Sequence, residues 1–376
     1  MKKNELLLIL YLFIFTILNI LLETFKSYST MILFFATMLI LATSIIINSR
    51  TKKIFSTLIN NNLKTVITTL LMILLFLIEL LIFKENNKII QYLYYFIIYA
   101  IIPCYLYMFA KDIRKCLEYY TNFSILLILM YGMTPIIKNV FFSDYMSFGF
   151  NCILPATVGL YIGIRYLGRK KLIILEVVAI LELILFCNRG AILTAIIFIV
   201  LYELIIKEKT GKKLLLFFIS FCVLILVLVN LSSICNIVID YLEDRNLYSY
   251  AFNKLYNYIN NKDNNVLSGR DAIWKQCIEE YKLHPFIGNG IANFEKKYEH
   301  YPHNIFLDVL TNFGILGMLV FLYTITKGIY KITKSKDEEK VWGLLLGVMG
   351  IVPLLFSLTM FNWIYFWLFI HFSLKK

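Results

Sequence analysis

The sequence predicts an all-α integral membrane protein, and three observations predict it. Hydrophobic residues make up 60% of the 376-residue chain and charged residues 16%, against about 45–50% and about 25% in soluble domains. Apolar runs long enough for a membrane-crossing helix, about 20 residues, recur from end to end. Lys and Arg are sorted between alternate loops. Reading each run as one crossing gives about 12 transmembrane helices. They fall near 5–22, 31–48, 65–83, 89–109, 123–142, 148–166, 171–187, 190–206, 213–231, 304–326, 341–359 and 361–373. The last is the shortest. The first is followed by many others and lacks a small-residue cleavage site, so it reads as a span and not as a removable signal.

Cytoplasmic loops carry an excess of Lys and Arg. With a cytoplasmic N-terminus, the inner segments hold 24 basic residues and the short outer loops hold 5: Lys26, Lys84, Lys88, Lys138 and Arg189. The net charge of +13 is therefore a topology signal, and nucleic acid is not an expected partner. Three regions follow. Residues 1–231 form a nine-helix transmembrane region, 232–303 one large extracytoplasmic loop, and 304–376 three C-terminal transmembrane helices. The loop holds eight basic and nine acidic residues and is nearly neutral. Loops this long are usually functional. Pro103, Pro135, Pro155 and Pro353 lie within spans and are expected to kink them. Cys235 and Cys277 are the two cysteines outside; they are equally able to pair or to stay free, and nothing has metal-site spacing.

Four local patterns single out candidate functional residues. From Leu172 to Ile206 the chain is apolar almost without a break, too long for one span and right for two. Asn188, Arg189 and Gly190 supply the turn, which leaves Arg189 at the outer surface, against the positive-inside bias. In the loop, Ser268 and Asp271 form a capping box for an amphipathic helix near 269–283. Arg270, Trp274, Cys277, Ile278 and Tyr281 share one face of it at helical spacing; Trp274 and Tyr281 read as packing residues. A cation at Arg270, in the first turn, opposes the helix dipole. The helix should stop near His284-Pro285, and Gly288 and Gly290 permit a sharp return. Two of the chain's four histidines, His300 and His303, then precede the tenth span, with Asn304 a good N-cap for it. Asp308 lies one turn further in, placed to orient His303 or to cap the helix. Glu79 and Glu182 are ionisable residues in the outer halves of spans, where such groups usually face a bundle interior or a wet cavity. Glu182 and Arg189 read as an ion pair if the turn does not intervene.

Taken together, "NRGA" (188–191), "GRDAIW" (269–274), "HPFIGNGIANF" (284–294) and "PHNIFLDVLTNFGILG" (302–317) resemble the O-antigen polymerase and ligase superfamily, the Wzy/WaaL group. The motifs span 188–317; the first half of the chain matches only as a run of spans. The resemblance implies a GT-C-type helical bundle and a metal-independent glycosyltransferase with no cofactor. It works on the outer face of the inner (cytoplasmic) membrane, in O-antigen, lipopolysaccharide or capsular polysaccharide biosynthesis. It further implies a glycan donor on undecaprenyl diphosphate, a glycan acceptor, and a chain-length regulator or flippase as partners in the bilayer. By the same resemblance Arg189 and Arg270 bind the lipid diphosphate and His303 acts on the acceptor hydroxyl. Trp274 and Asn304 join the expected substrate-binding set.

The residue types support that chemistry independently. Guanidinium binds phosphate oxygens bidentately and stays charged. Fixed cations stabilise charge growing on a diphosphate leaving group, and a histidine titrating near pH 6.5 suits a general base. No Asp-x-Asp motif appears for metal-bound nucleotide sugars. The leading expectation is a polymerase of lipid-linked repeat units. A ligase that moves finished glycan to lipid A-core or another acceptor is the alternative in the same class. A polysaccharide flippase or transporter is the alternative from another class, but it would favour repeat symmetry and charges at the membrane midplane. Here the polar features gather on the outer face.

Overall fold

The computed structural model describes residues 2–21, 29–49, 57, 62–83, 86–132, 145–206, 231–245, 247, 249–259 and 269–375. The expected span near 213–231, the end of that near 123–142, Pro135 and Ser268 lie outside these residues wholly or in the main. Among the described residues every regular element is a helix and there is no strand. In chain order the helices are α1 (Lys2–Leu21), α2 (Ser29–Ser49), α3 (Leu63–Ile82), α4 (Asn87–Phe109), α5 (Ile113–Tyr131), α6 (Phe148–Arg165), α7 (Ile173–Phe186), α8 (Arg189–Ile205), α9 (Leu231–Glu243), α10 (Tyr250–Ile259), α11 (Arg270–Leu283), α12 (Asn293–Tyr298), α13 (Ile305–Lys334), α14 (Asp337–Ile351) and α15 (Ile364–Leu374). Among the described residues four are long and apolar enough to cross a membrane: α3, α4, α6 and α13.

The chain divides into two units. One comprises Met1–Tyr120 with Arg270–Lys376, the other Thr121–Gly269; the boundary falls inside α5. In the first, α13, α14 and α15 pack on one another, α15 also packs on α3 and α4, and α1 packs on α2 and α4. Its core is aromatic. Phe96 meets Trp367 edge-on at 5.0 Å and Tyr92 meets Phe361 at 4.9 Å. The indoles of Trp363 and Trp367 donate to the carbonyls of Met349 and Met360 at 2.6 and 2.7 Å, as buried N–H groups must. In the second unit α6 packs against α7 and α8, and α10 against α7 and α9. Arg165 forks onto Glu203 with two 2.7 Å bonds.

Pro103 and Pro155 lie inside helices, as expected, and each follows a π-turn. A proline lacks an N–H and clashes with the carbonyl four residues back. Ahead of Pro103, residues Ile97–Ile101 form a wide π-turn, and ahead of Pro155, Phe148–Ile153 do the same. In α4 this shifts the Ile102 N–H to the carbonyl of Ile97, and the Tyr11 hydroxyl donates to that of Ile98 at 2.7 Å. Pro353 follows the end of α14 and opens a short 3₁₀ turn.

One span is broken. Gly314, inside α13, has φ 62° and ψ −161°, far from helical values. The segment between α11 and α12 enters the break. Two α-helical rungs open there, from Ile315 to Thr311 and from Leu316 to Asn312, and four bonds replace them. Ile315 N–H and Leu316 N–H donate to the carbonyls of Pro285 and Phe286 at 2.9 and 3.2 Å. Asn289 N–H and Gly290 N–H donate to the carbonyls of Thr311 and Asn312 at 2.7 and 3.2 Å. Irregular backbone at membrane depth is tolerated only where protein or water satisfies it, and here protein does. The approach is close: a Cβ on Gly288 would lie 2.5 Å from backbone atoms of Asn312 and Phe313.

Candidate functional site

The helix expected near 269–283 is α11, which ends at Leu283, just before His284-Pro285. It packs on α13, and its buried side keeps part of the expected face. Cys277 and Glu280 are buried, while Ile278 is 45% exposed. Helical spacing grouped Ile278 with Cys277 on the packing face; packing against α13 keeps Cys277 and takes the side of Glu280 instead of Ile278. The Glu280 carboxylate accepts from Lys297, from the Tyr298 hydroxyl at 2.8 Å and from Asn289 Nδ2 at 2.8 Å. Burial raises its pKa, but the bonds from Lys297 and the Tyr298 hydroxyl, with the Lys297 charge, outweigh burial and hold it below the ordinary value. Glu280 thereby ties α11 to the chain that follows it.

Two further bonds from α11 fix the approach to His303. Trp274 Nε1 donates to the Pro302 carbonyl at 3.2 Å, and His300 Nε2 bonds Gln276 Oε1 at 3.1 Å. His303 then takes φ 55°, a left-handed conformation that costs a non-glycine residue on the order of 1–3 kcal/mol and recurs at functional sites. Its ring lies against Tyr301, with centroids 3.9 Å apart and planes at 35°. Asn304 returns to extended backbone and caps α13 as expected, its Oδ1 accepting from Phe306 N–H at 2.9 Å and Leu307 N–H at 3.4 Å.

His303 Nδ1 is sealed from solvent and has no hydrogen-bond partner. Burial pushes the imidazole pKa down to about 4, and the positive charges of Arg270 and His300 push the same way. The value near 6.5 expected of an ordinary histidine therefore gives way to a neutral ring. Arg270 and His303, 33 positions apart in sequence, are thus brought within electrostatic reach of each other. Asp308 does not use its carboxylate on His303. Oδ1 accepts from Asn312 Nδ2 at 2.7 Å and Oδ2 from Met360 N–H at 3.4 Å.

Arg189 belongs to the other unit. Its turn is as expected: α7 ends at Phe186, Asn188 is the N-cap, and its side chain accepts from Ala191 N–H at 2.8 Å. Arg189 is the first residue of α8 and is exposed. Glu182 forms no ion pair with it among the described residues; the turn intervenes, and Glu182 Oε2 is buried without a hydrogen-bond partner. Cys235 and Cys277 are both buried and free.

Sequence reasoning missed Glu280 and Glu295. Glu295 lies in "FEKKY", which reads as a solvated surface. Yet it is buried, and its Oε1 accepts from the hydroxyl of Tyr92, 203 positions away, at 2.9 Å. Burial pushes its pKa up to about 7, against the lowering effect of its hydrogen bonds and Lys88. No local pattern carries that information. Glu79, placed by sequence in the outer half of a span, packs against the re-entrant segment. It accepts from Ile291 N–H, and its carboxylate oxygens would lie 2.5 Å from a Cβ on Gly290.

The described residues thus form helices, four of them long and apolar enough to cross a membrane, with a strained histidine within electrostatic reach of an arginine at the start of a broken helix. Residues 174–322 match the family model described as O-antigen ligase. The match covers Arg189, Arg270, Trp274, His303 and Asn304 and supports the resemblance to the O-antigen polymerase and ligase superfamily. No curated protein matches the chain.

Proposed function

We propose that this protein is a glycosyltransferase of the outer face of the cytoplasmic membrane that polymerises oligosaccharide repeat units carried on undecaprenyl diphosphate. One observation carries the reading: a half-buried imidazole in a left-handed backbone, its basicity lowered by burial and by the charge of Arg270. The acceptor hydroxyl would give its proton to His303 as its oxygen bonds to the anomeric carbon of the donor. The bond from that carbon to the diphosphate oxygen breaks, and its electron pair leaves with the diphosphate. Arg270 and Arg189 would hold those oxygens, Arg189 with the N–H groups at the start of α8, a favourable site for an anion. Binding of the anion beside Arg270 would offset the charge that depresses His303 and raise its basicity when substrate is present. Trp274 would serve by fixing Pro302, and Asn304 by setting the start of α13.

Ligation of finished glycan to lipid A-core or another acceptor is the second reading, favoured by the description of the matching family. Deletion in the host followed by a glycan ladder separates the two. Loss of long chains with one repeat unit still attached means polymerase; loss of all attached glycan with lipid-linked chains retained means ligase. In complementation, His303→Ala should lower transfer about 10²–10⁴-fold, the usual loss of a general base, with membrane abundance unchanged. Activity needs no divalent metal on this reading, so EDTA should leave it intact. Near-normal transfer in His303→Ala ends the proposal.

A further inference from the structure

Away from His303, the start of α4 and the helix α12 enclose a polar groove of about 580 Å³, within the range of about 300–1,000 Å³ typical of small-ligand clefts. Asn87, Lys88, Gln91, Lys296 and Glu299 are its exposed lining; Asn86 and Glu295 are its buried lining. Asn86 is fully engaged. It donates to Asn293 Oδ1 at 2.9 Å and to the Ala292 carbonyl at 3.3 Å, and accepts from Lys88 N–H at 3.1 Å. Glu295 is not. Only 5% exposed, it binds Tyr92 through Oε1, while Oε2 is buried with no hydrogen-bond partner.

We propose that this groove is a sugar-binding subsite, occupied by a glycan unit whose hydroxyl donates to Glu295 Oε2. The reading rests on the glycosyltransferase function argued above and adds a place for the glycan away from the reacting bond. The lining has two cations and two carboxylates, so it favours neither a phosphate nor a metal cation. Its amides at Asn87 and Gln91 supply donors and acceptors, Gln91 keeping one donor and its carbonyl beyond its 2.8 Å bond to the Tyr95 hydroxyl, which is what a ligand rich in hydroxyls requires. A buried acceptor without a partner is costly, and a bound hydroxyl removes that cost. On the topology implied by the loop charges, the groove opens to the outer face, where the glycans are.

The test uses full-length protein in nanodiscs. The probe is the host's repeat-unit oligosaccharide, released from its lipid by mild acid. Binding is measured by titration and by saturation-transfer NMR. Removing one neutral hydrogen bond should weaken binding about 2- to 10-fold, so the exposed double variant Gln91→Ala/Lys296→Ala should lose roughly tenfold or more. Glu295→Gln should also weaken it; the exposed variants decide the matter if that buried change disturbs folding. In the transfer assay the same variants should raise KM with little change in kcat. A rise confined to the acceptor assigns the groove to the acceptor's glycan, and one confined to the donor assigns it to the donor's. Probe binding is read without transfer, so this measurement stands even if no transfer is found. Unaltered probe binding in the double variant and in Glu295→Gln, or no probe binding by the wild-type protein, overturns the proposal.

Discussion

Gly314→Ala tests the re-entrant segment most directly. At φ 62° and ψ −161° the backbone lies in a region populated almost only by glycine, which costs any other residue on the order of 1–3 kcal/mol. An added Cβ would also stand 2.5 Å from the carbonyl carbon and oxygen of Phe286 and 2.6 Å from Gly288 N. These are backbone atoms and cannot rotate away. Relief requires the segment to retreat, which breaks at least the bonds from Ile315 to Pro285 and from Leu316 to Phe286, each contributing about 0.5–1.5 kcal/mol. Strain and two lost bonds together come to about 2–6 kcal/mol, a large part of the ~5–15 kcal/mol of a typical folded protein. Gly269→Ala is the comparator. It too has positive φ, 78°, but a Cβ there meets nothing within 4 Å, so strain alone, about 1–2 kcal/mol, should be lost. Thermal unfolding in detergent and membrane abundance measure both variants. Wild-type stability in Gly314→Ala, or equal losses in the two, would show that the segment is not held in the break.

Five further outcomes are expected. In unfolded chain His303 binds its proton near pH 6.5, whereas the folded site refuses it until about pH 4. This contribution to stability is therefore complete above pH 6.5 and is lost as the pH falls toward 4. Arg270→Ala removes one cause of that depression and should shift the acid limb of kcat/KM to higher pH; an unmoved limb counts against their coupling. Arg270→Lys should restore transfer poorly, because lysine lacks the bidentate fork. Arg189→Ala should change stability by no more than about 0.5 kcal/mol, as exposed substitutions do, while lowering transfer about 10²–10³-fold; parallel losses in melting temperature and activity would make its role structural. In a cysteine-free background, probes at Leu283 and Lys336, both exposed, should be labelled from outside and from inside respectively, and the reverse result would put the site in the cytoplasm.

What the sequence made legible follows from the range of each interaction. Run length and composition located α3, α4, α6 and α13, because crossing a bilayer is a property of about 20 consecutive residues. The turn at Asn188 and the cap at Asn304 were legible because each is local chemistry. Arg270 and His303 were both marked, though the depressed basicity of His303 was not, since it depends on burial and on a charge 33 positions away. The buried Glu295 depends on Tyr92, from the far end of its unit, and no spacing rule reaches that distance. The break in α13 is the most instructive case. "NFGILG" reads as an uninterrupted apolar helix, and a glycine within it costs only about 1 kcal/mol. "HPFIGNG" reads as an exposed turn. Each segment is unremarkable until their backbone groups are paired. Pro285 and Phe286 offer carbonyls and Asn289 and Gly290 offer N–H groups, in the order needed to replace the two rungs that Gly314 opens. The glycines at 288, 290 and 314 permit the approach, and the same segment leads through α12 to His303. The strained histidine is therefore set from both sides, by α11 through Trp274 and Gln276, and by the broken span whose first turn Asn304 caps.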